Sequence, residues 1–366
     1  EIYTLSLHDA LPIYELVYFS ELPVWMRRGI LNFDVCLIMV SPPDQWGYCN
    51  LGVESGYTFQ AIRSAKTVIA QVNSNMPFSY GDTYVHVSQL DAIVEMDMPL
   101  MESQPPTVGE VEMAIGGNCA SLIEDGSTLQ LGIGAIPDAV LASLRNHKHL
   151  GIHSEMIADG VLDLVEAGVI DCSEKTLHKG QMVVTFLMGT KRLYDFADHN
   201  PMLLLRPVDY VNDPAVIAKN NKMVSINSAL QVDFMGQVVA ASIGTKQFSG
   251  VGGQVDFVRG ASRAEDGKGI SIIAMPSITV KRDGTVISKI VPYIDKGAAV
   301  TTNRYDVDYI ITEYGIARMK GKTLKERARA LIRIAHPSVI DDLSKAFEER
   351  LDRKSTRLNS SHTNLS

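Results

Sequence analysis

The chain has 366 residues, 46% hydrophobic and 21% charged, which is enough for two domains with separate cores. Its formal net charge of -8 speaks against a general nucleic-acid or anionic-membrane binder, so an anionic substrate needs a local cluster of donors. Four scattered cysteines and nine histidines form no C-x-x-C and no H-E-x-x-H, which argues for reduced thiols, a cytoplasmic setting and no zinc site.

Residues 1–13 and 354–366 match nothing in the body of the chain. Both resemble translated sequencing-adapter read-through, although the Ser/Asn-rich second string also has the make-up of a disordered tail. The native stretch is expected to run from 14 to 353. Within it, short β-rich runs alternate with helical patterns, the signature of an α/β fold with mainly parallel sheets. Val35–Val40 reads as a buried strand closed by Ser41-Pro42-Pro43-Asp44, Tyr57–Ala65 as a helix and Thr67–Val72 as a strand. The break at Gln104-Pro105-Pro106 divides a first domain, 14–106, from a second, 107–353.

The second domain opens with a helix over Val108–Glu124, followed by a strand at Thr128–Leu131. The turn Gly132-Ile133-Gly134 leads into a helix over Asp138–Leu144, with Pro137 in a first-turn setting. A strand at Leu150–Ile152 then delivers His153-Ser154-Glu155, and Asp159 is expected to cap the next helix. Further strands are expected at Met182–Leu187, Met223–Ile226, Ile270–Ala274, Val286–Ile290 and Tyr309–Thr312. Helices at Leu324–Ala335 and Val339–Leu351 close the pattern.

Three features carry chemistry. Gly132-Ile133-Gly134 joins a strand to a helix, where free N–H groups favour an anion, yet it is neither a P-loop nor a complete G-x-G-x-x-G. Glu155 stands at a strand's carboxyl end, where open parallel sheets bind ligands. Spacing leaves it open between gripping a ribose hydroxyl, attacking an acyl group and being an ordinary solvated acid. Gly250-Val251-Gly252-Gly253-Gln254-Val255-Asp256 echoes the first turn, with an Asp four residues beyond the second glycine in both places. Glu313 is a second strand-end acid and the second choice as nucleophile. His153 reads as a packing or positioning residue, because no G-x-S-x-G elbow exists.

The runs Leu129–Pro137, Leu150–Ile157 and Phe248–Phe257, with Ser41–Asp44, Gly81–Thr83, Phe186–Thr190 and Thr312–Ala317, resemble the acetyl-CoA hydrolase/transferase family. The likeness extends from about Leu16 to Leu351 and favours the branch acting on 4-hydroxybutyryl- or butyryl-CoA and acetate. It implies two CoA-transferase-type domains, the first incomplete here because family members begin with a longer N-terminal stretch. Glu155 falls at the family's catalytic glutamate, which carries coenzyme A as a covalent glutamyl thioester in a ping-pong transfer. Gln130, Leu131, Gly132, Ile133 and Gly134 match the segment that contacts CoA, and Gly253, Leu230 and Lys281 align with further contacts. Backbone amides at Gly132–Gly134 or Gly252–Gly253 are placed to hold an oxyanion. The resemblance further implies acyl-CoA and a short-chain carboxylate as partners, no permanently bound cofactor, and a homodimer or larger assembly. Acyl-CoA hydrolysis and a non-catalytic nucleotide-binding module are the alternatives.

Overall fold

The computed structural model describes residues 15–352, so the tails expected at 1–13 and 354–366 lie outside the described residues. Its largest element is a six-stranded sheet in the spatial order Gly151–Ile152, Thr128–Leu131, Met223–Ser228, Ile270–Ala274, Tyr309–Thr312, Gly315–Arg318. All neighbours pair in parallel except the last two strands. Numbered along the chain, the parallel strands run 2-1-3-4-5, a doubly wound order whose direction reverses between Thr128–Leu131 and Met223–Ser228.

The composition of these strands explains their place. Ile270–Ala274 sends Ile272 and Ala274 into one cluster with Leu129, Leu131, Ile226 and Ile311, while Ile273 and Met275 enter another with Val232, Phe234 and Ile310. A strand apolar on both faces needs cover on both, which the parallel arrangement supplies through its crossover helices. Helices Glu110–Ala120 and Ala135–Ser143 pack together on one side, and Leu331 and Ile334 cover the other.

The expected strands Val35–Val40, Thr67–Val72, Thr128–Leu131, Ile270–Ala274 and Tyr309–Thr312 are present with those limits. Elsewhere the boundaries move for identifiable reasons. The helix after the first glycine turn begins at Ala135, three residues before the expected Asp138, because Gly134 at φ 116° turns the chain directly into it. The first long helix contracts to Glu110–Ala120, its start fixed by Glu112 accepting from the Gly109 N–H at 3.1 Å. The single strand expected over Met182–Leu187 splits into Met182–Val184 and Phe186–Leu187, which pair with different strands, Leu203–Leu205 and Met156–Ile157. The run Val286–Ile290 likewise breaks into a hairpin strand, Val286–Ser288, and a separate Ile290–Val291. Asp159 does not cap its own helix by side chain; its carboxylate takes the N–H and hydroxyl of Thr190, the N-cap of Lys191–Ala197. The last helices are shorter than expected, Leu324–Arg333 and Ile340–Phe347.

Residues before 106 build a parallel sheet in the order Val35–Val40, Thr67–Val72, Ala92–Glu95. One side of it is apolar yet open: Leu37 is 75% exposed and Val94 52%. Its neighbour Tyr80–Gly81 leaves this unit and pairs with Leu204–Leu205, making a three-stranded sheet with Met182–Val184. No helix among the described residues is long and apolar enough to cross a membrane.

Leu129 is fully buried and Leu37 is not, so the same truncation separates them. Denaturant unfolding should show Leu129→Ala losing about 2–5 kcal/mol, and Leu37→Ala within about 0.5 kcal/mol of the parent. Equal losses would mean that the exposed face is packed in solution.

Candidate active site

The carboxyl ends of the parallel strands gather the polar groups. Thr128–Leu131 ends in Gly132-Ile133-Gly134, and Gly151–Ile152 ends in His153-Ser154-Glu155. The two ends are tied together. The His153 N–H donates to the Leu129 carbonyl at 3.1 Å, and the Ser154 hydroxyl donates to the Leu131 carbonyl at 3.0 Å. At the reversal point, Gln130 and Asn227 exchange side-chain hydrogen bonds at 3.0 and 3.4 Å. A Cβ at Gly132 or Gly134 would meet nothing within 4 Å, so both residues face open space. Beside them a cavity of about 310 Å³ is lined by Ile133, Gly134, Ala158, Asp159 and Met188 together with Ser103–Pro106.

Glu155 is half-buried where three segments converge. Its carbonyl is held by Thr185, through the N–H at 2.8 Å and the hydroxyl at 2.9 Å. Its carboxylate Oε2 accepts from the Asn212 Nδ2 at 2.7 Å, and the Gly253 N–H also donates to it. Gly253 has to be glycine here. A Cβ would overlap both Glu155 Oε2 and Asn212 Nδ2. Gly252 supplies the left-handed step before it, φ 57°, and helix Gln254–Ala261 starts immediately afterwards, so the carboxylate lies at a positive helix end. Burial nevertheless raises the Glu155 pKa above the ordinary range, against the opposing pull of Asn212 and Gly253.

A second acid lies one helical turn on. Asp256 is buried, accepts from the Ser20 N–H and hydroxyl at 3.3 and 3.0 Å, and is pushed up to about 7 by burial, with the Glu155 charge adding to the rise. Glu313 is placed differently. Its two carboxylate oxygens are taken by the Ser277 N–H at 2.9 Å and the Ser277 hydroxyl at 2.5 Å, a tie between neighbouring strand ends.

The structure thus brings Glu155, Gly252 and Gly253 together, with Gln130, Leu131 and the 132–134 turn alongside. Leu230 follows strand Met223–Ser228 and donates its N–H to Val239. Lys281 stands on the exposed turn between Ile278–Val280 and Val286–Ser288. Asn212 and Thr185 went unnoticed in the sequence. Asn212 sits in Val211-Asn212-Asp213-Pro214, which has the chemistry of an ordinary turn, and its partner is 57 positions away. No group of three or more His, Cys, Asp or Glu among the described residues is arranged to hold a metal ion. All four cysteines are buried and free.

Two family models match the chain: the acetyl-CoA hydrolase/transferase N-terminal domain over residues 13–102 and the C-terminal domain of the same name over 189–347. A 4-hydroxybutyrate coenzyme A transferase of Clostridium kluyveri is 60% identical over 337 residues, 92% of this chain and 77% of that protein. A butyryl-CoA:acetate CoA-transferase of Anaerostipes caccae is 38% identical over 342 residues, 92% of this chain and 76% of that one. Among solved structures, a 4-hydroxybutyrate CoA-transferase from Porphyromonas gingivalis superposes with a TM-score of 0.81 at 46% identity, covering 91% of this chain and 79% of that one.

Asp256 makes a pH prediction. The unfolded carboxyl titrates near 3.8 and the folded one near 7, so between those values the folded state holds more protons and stability falls as pH rises. Asp256→Asn removes the titration. Thermal unfolding should show this variant gaining on the parent from about pH 5 to about pH 8. A difference independent of pH would refute the buried-acid assignment.

Proposed function

Because this chain belongs to the acetyl-CoA hydrolase/transferase family, we propose that it is a CoA-transferase that uses Glu155 to move coenzyme A between short-chain acids. Its donor is a short-chain acyl-CoA, 4-hydroxybutyryl- or butyryl-CoA, and its acceptor is acetate or a similar carboxylate. The observation that carries the reading is the carboxylate of Glu155, half-buried at a strand end and gripped by Asn212 and Gly253.

The chemistry needs no external proton. A Glu155 oxygen attacks the thioester carbonyl, the C–S bond breaks, and the thiolate leaves behind a mixed anhydride. The thiolate then attacks the Glu155 carbonyl carbon, releasing the first acid and forming a glutamyl thioester. A second carboxylate takes up coenzyme A by the reverse steps. Burial that raises the Glu155 pKa makes the carboxylate a better nucleophile, and the water it excludes is water that would hydrolyse the intermediates. Asn212 and Gly253 already point donors at this carboxylate, and the same donors serve the oxygens whose charge changes during attack.

Coenzyme A is assigned to Gln130–Gly134, Gly252, Gly253, Leu230 and Lys281, with the open space at Gly132 and Gly134 supporting close backbone approach. The division into 14–106 and 107–353 as two CoA-transferase-type domains is supported by separate family models matching 13–102 and 189–347.

Incubation with acyl-CoA, borohydride trapping and mass spectrometry of the peptides tests the assignment, with Glu155 as the expected site of modification. Glu155→Gln should abolish turnover while leaving CoA binding in place, and Gly253→Ala should lower kcat by roughly 10²–10³-fold. Turnover that survives Glu155→Gln would sink the reading. Free CoA appearing without added acetate would mark hydrolysis instead of transfer.

A further inference from the structure

His153 is fully buried two residues before Glu155, and the reaction above assigns it nothing. Its Nε2 lies 2.8 Å from the Val211 carbonyl. A carbonyl only accepts, so Nε2 carries the proton and Nδ1 is a lone pair, which finds no partner in the structure. Burial first, and the Lys175 ammonium second, push the ring's pKa down to about 3, so it stays neutral and has a single N–H to give. The His178 charge acts in the same direction.

That one bond falls at a consequential place. Val211 is the last residue of helix Val208–Val211, and the next residue, Asn212, is the one whose amide holds the Glu155 carboxylate. The imidazole also neighbours Phe257, with ring centroids 6.3 Å apart. Phe257 belongs to helix Gln254–Ala261, whose N-cap Gly253 supplies the second donor to the same carboxylate. The strand carrying the ring is fixed from behind by Lys175. That residue is buried, and its Nζ donates to the Ile152 carbonyl at 2.8 Å and to the Gln181 carbonyl at 2.7 Å.

We propose that His153 is a positioning residue for Glu155, setting by one hydrogen bond and one ring contact the two segments that present Asn212 and Gly253 to the carboxylate. The inference rests on Glu155 being the nucleophile. Losing the bond leaves the Val211–Asn212 peptide held only through the Asn212 N–H on the Val208 carbonyl, so the carboxylate is held less well although every group touching substrate is still present.

The test compares three variants. His153→Gln keeps an N–H near the Nε2 position, His153→Met keeps bulk without a donor, and His153→Asn keeps a donor that is too short to reach Val211. The Met and Asn variants should lose kcat by about 10- to 100-fold with KM for acyl-CoA unchanged, whereas Gln should stay within about threefold of the parent. His153→Met combined with Asn212→Ala should lose less than the sum of the two single losses, because the hydrogen-bonded arm of the His153 effect acts through Asn212. Should the Met variant not fold, the Gln and Asn pair makes the same comparison. Equal losses in Gln and Asn, or additive losses in the double variant, would overturn the proposal. Glu155→Gln separates the two readings: if it is inactive while His153→Met and His153→Asn keep full kcat, only the positioning role fails.

Discussion

A carboxylate taken partly out of water must be met by donors, and most of what surrounds Glu155 answers that requirement. Its side chain is held from two directions, by an amide on the turn after helix Val208–Val211 and by a backbone N–H at the start of helix Gln254–Ala261. Its own peptide is pinned by Thr185, which marks the point where the chain passes from one small sheet to another. The break in strand Met182–Leu187 is therefore part of the site's construction.

The same residue joins the early part of the chain to the site. The Ser55 N–H donates to the Thr185 carbonyl at 2.8 Å, while Ser20 holds Asp256 beside Glu155. Burial raises the pKa of both acids, and for Asp256 the Glu155 charge adds to the rise.

How far this was legible in the sequence depended on distance along the chain. A strand such as Ile270–Ala274 was readable because burial on both faces leaves an apolar run that only Ser271 interrupts. The glycine turns were readable as turns, and the helix behind Gly134 began earlier than expected because that glycine's φ of 116° replaces a longer connection. Glu155 could be singled out as a strand-end acid, yet its choice between ribose ligand and nucleophile came from the family likeness and not from spacing. Asn212, Thr185 and Lys175 could not be found this way. Each acts through a partner 23 to 57 positions away, and no local pattern records such a pairing. Asp159 shows the converse: a locally plausible cap whose carboxylate is claimed by Thr190.

The pairing of Tyr80–Gly81 with Leu204–Leu205 bears on how the chain comes to be folded at all. During synthesis, at about 5–20 residues per second, the early segment emerges and waits several seconds for the strand that completes it. Through that interval the edge at Tyr80–Gly81 and the apolar face around Leu37 stand open together, a combination that invites association between nascent copies. A pairing that ties the first hundred residues to the later part of the chain is thus also one that makes their folding late.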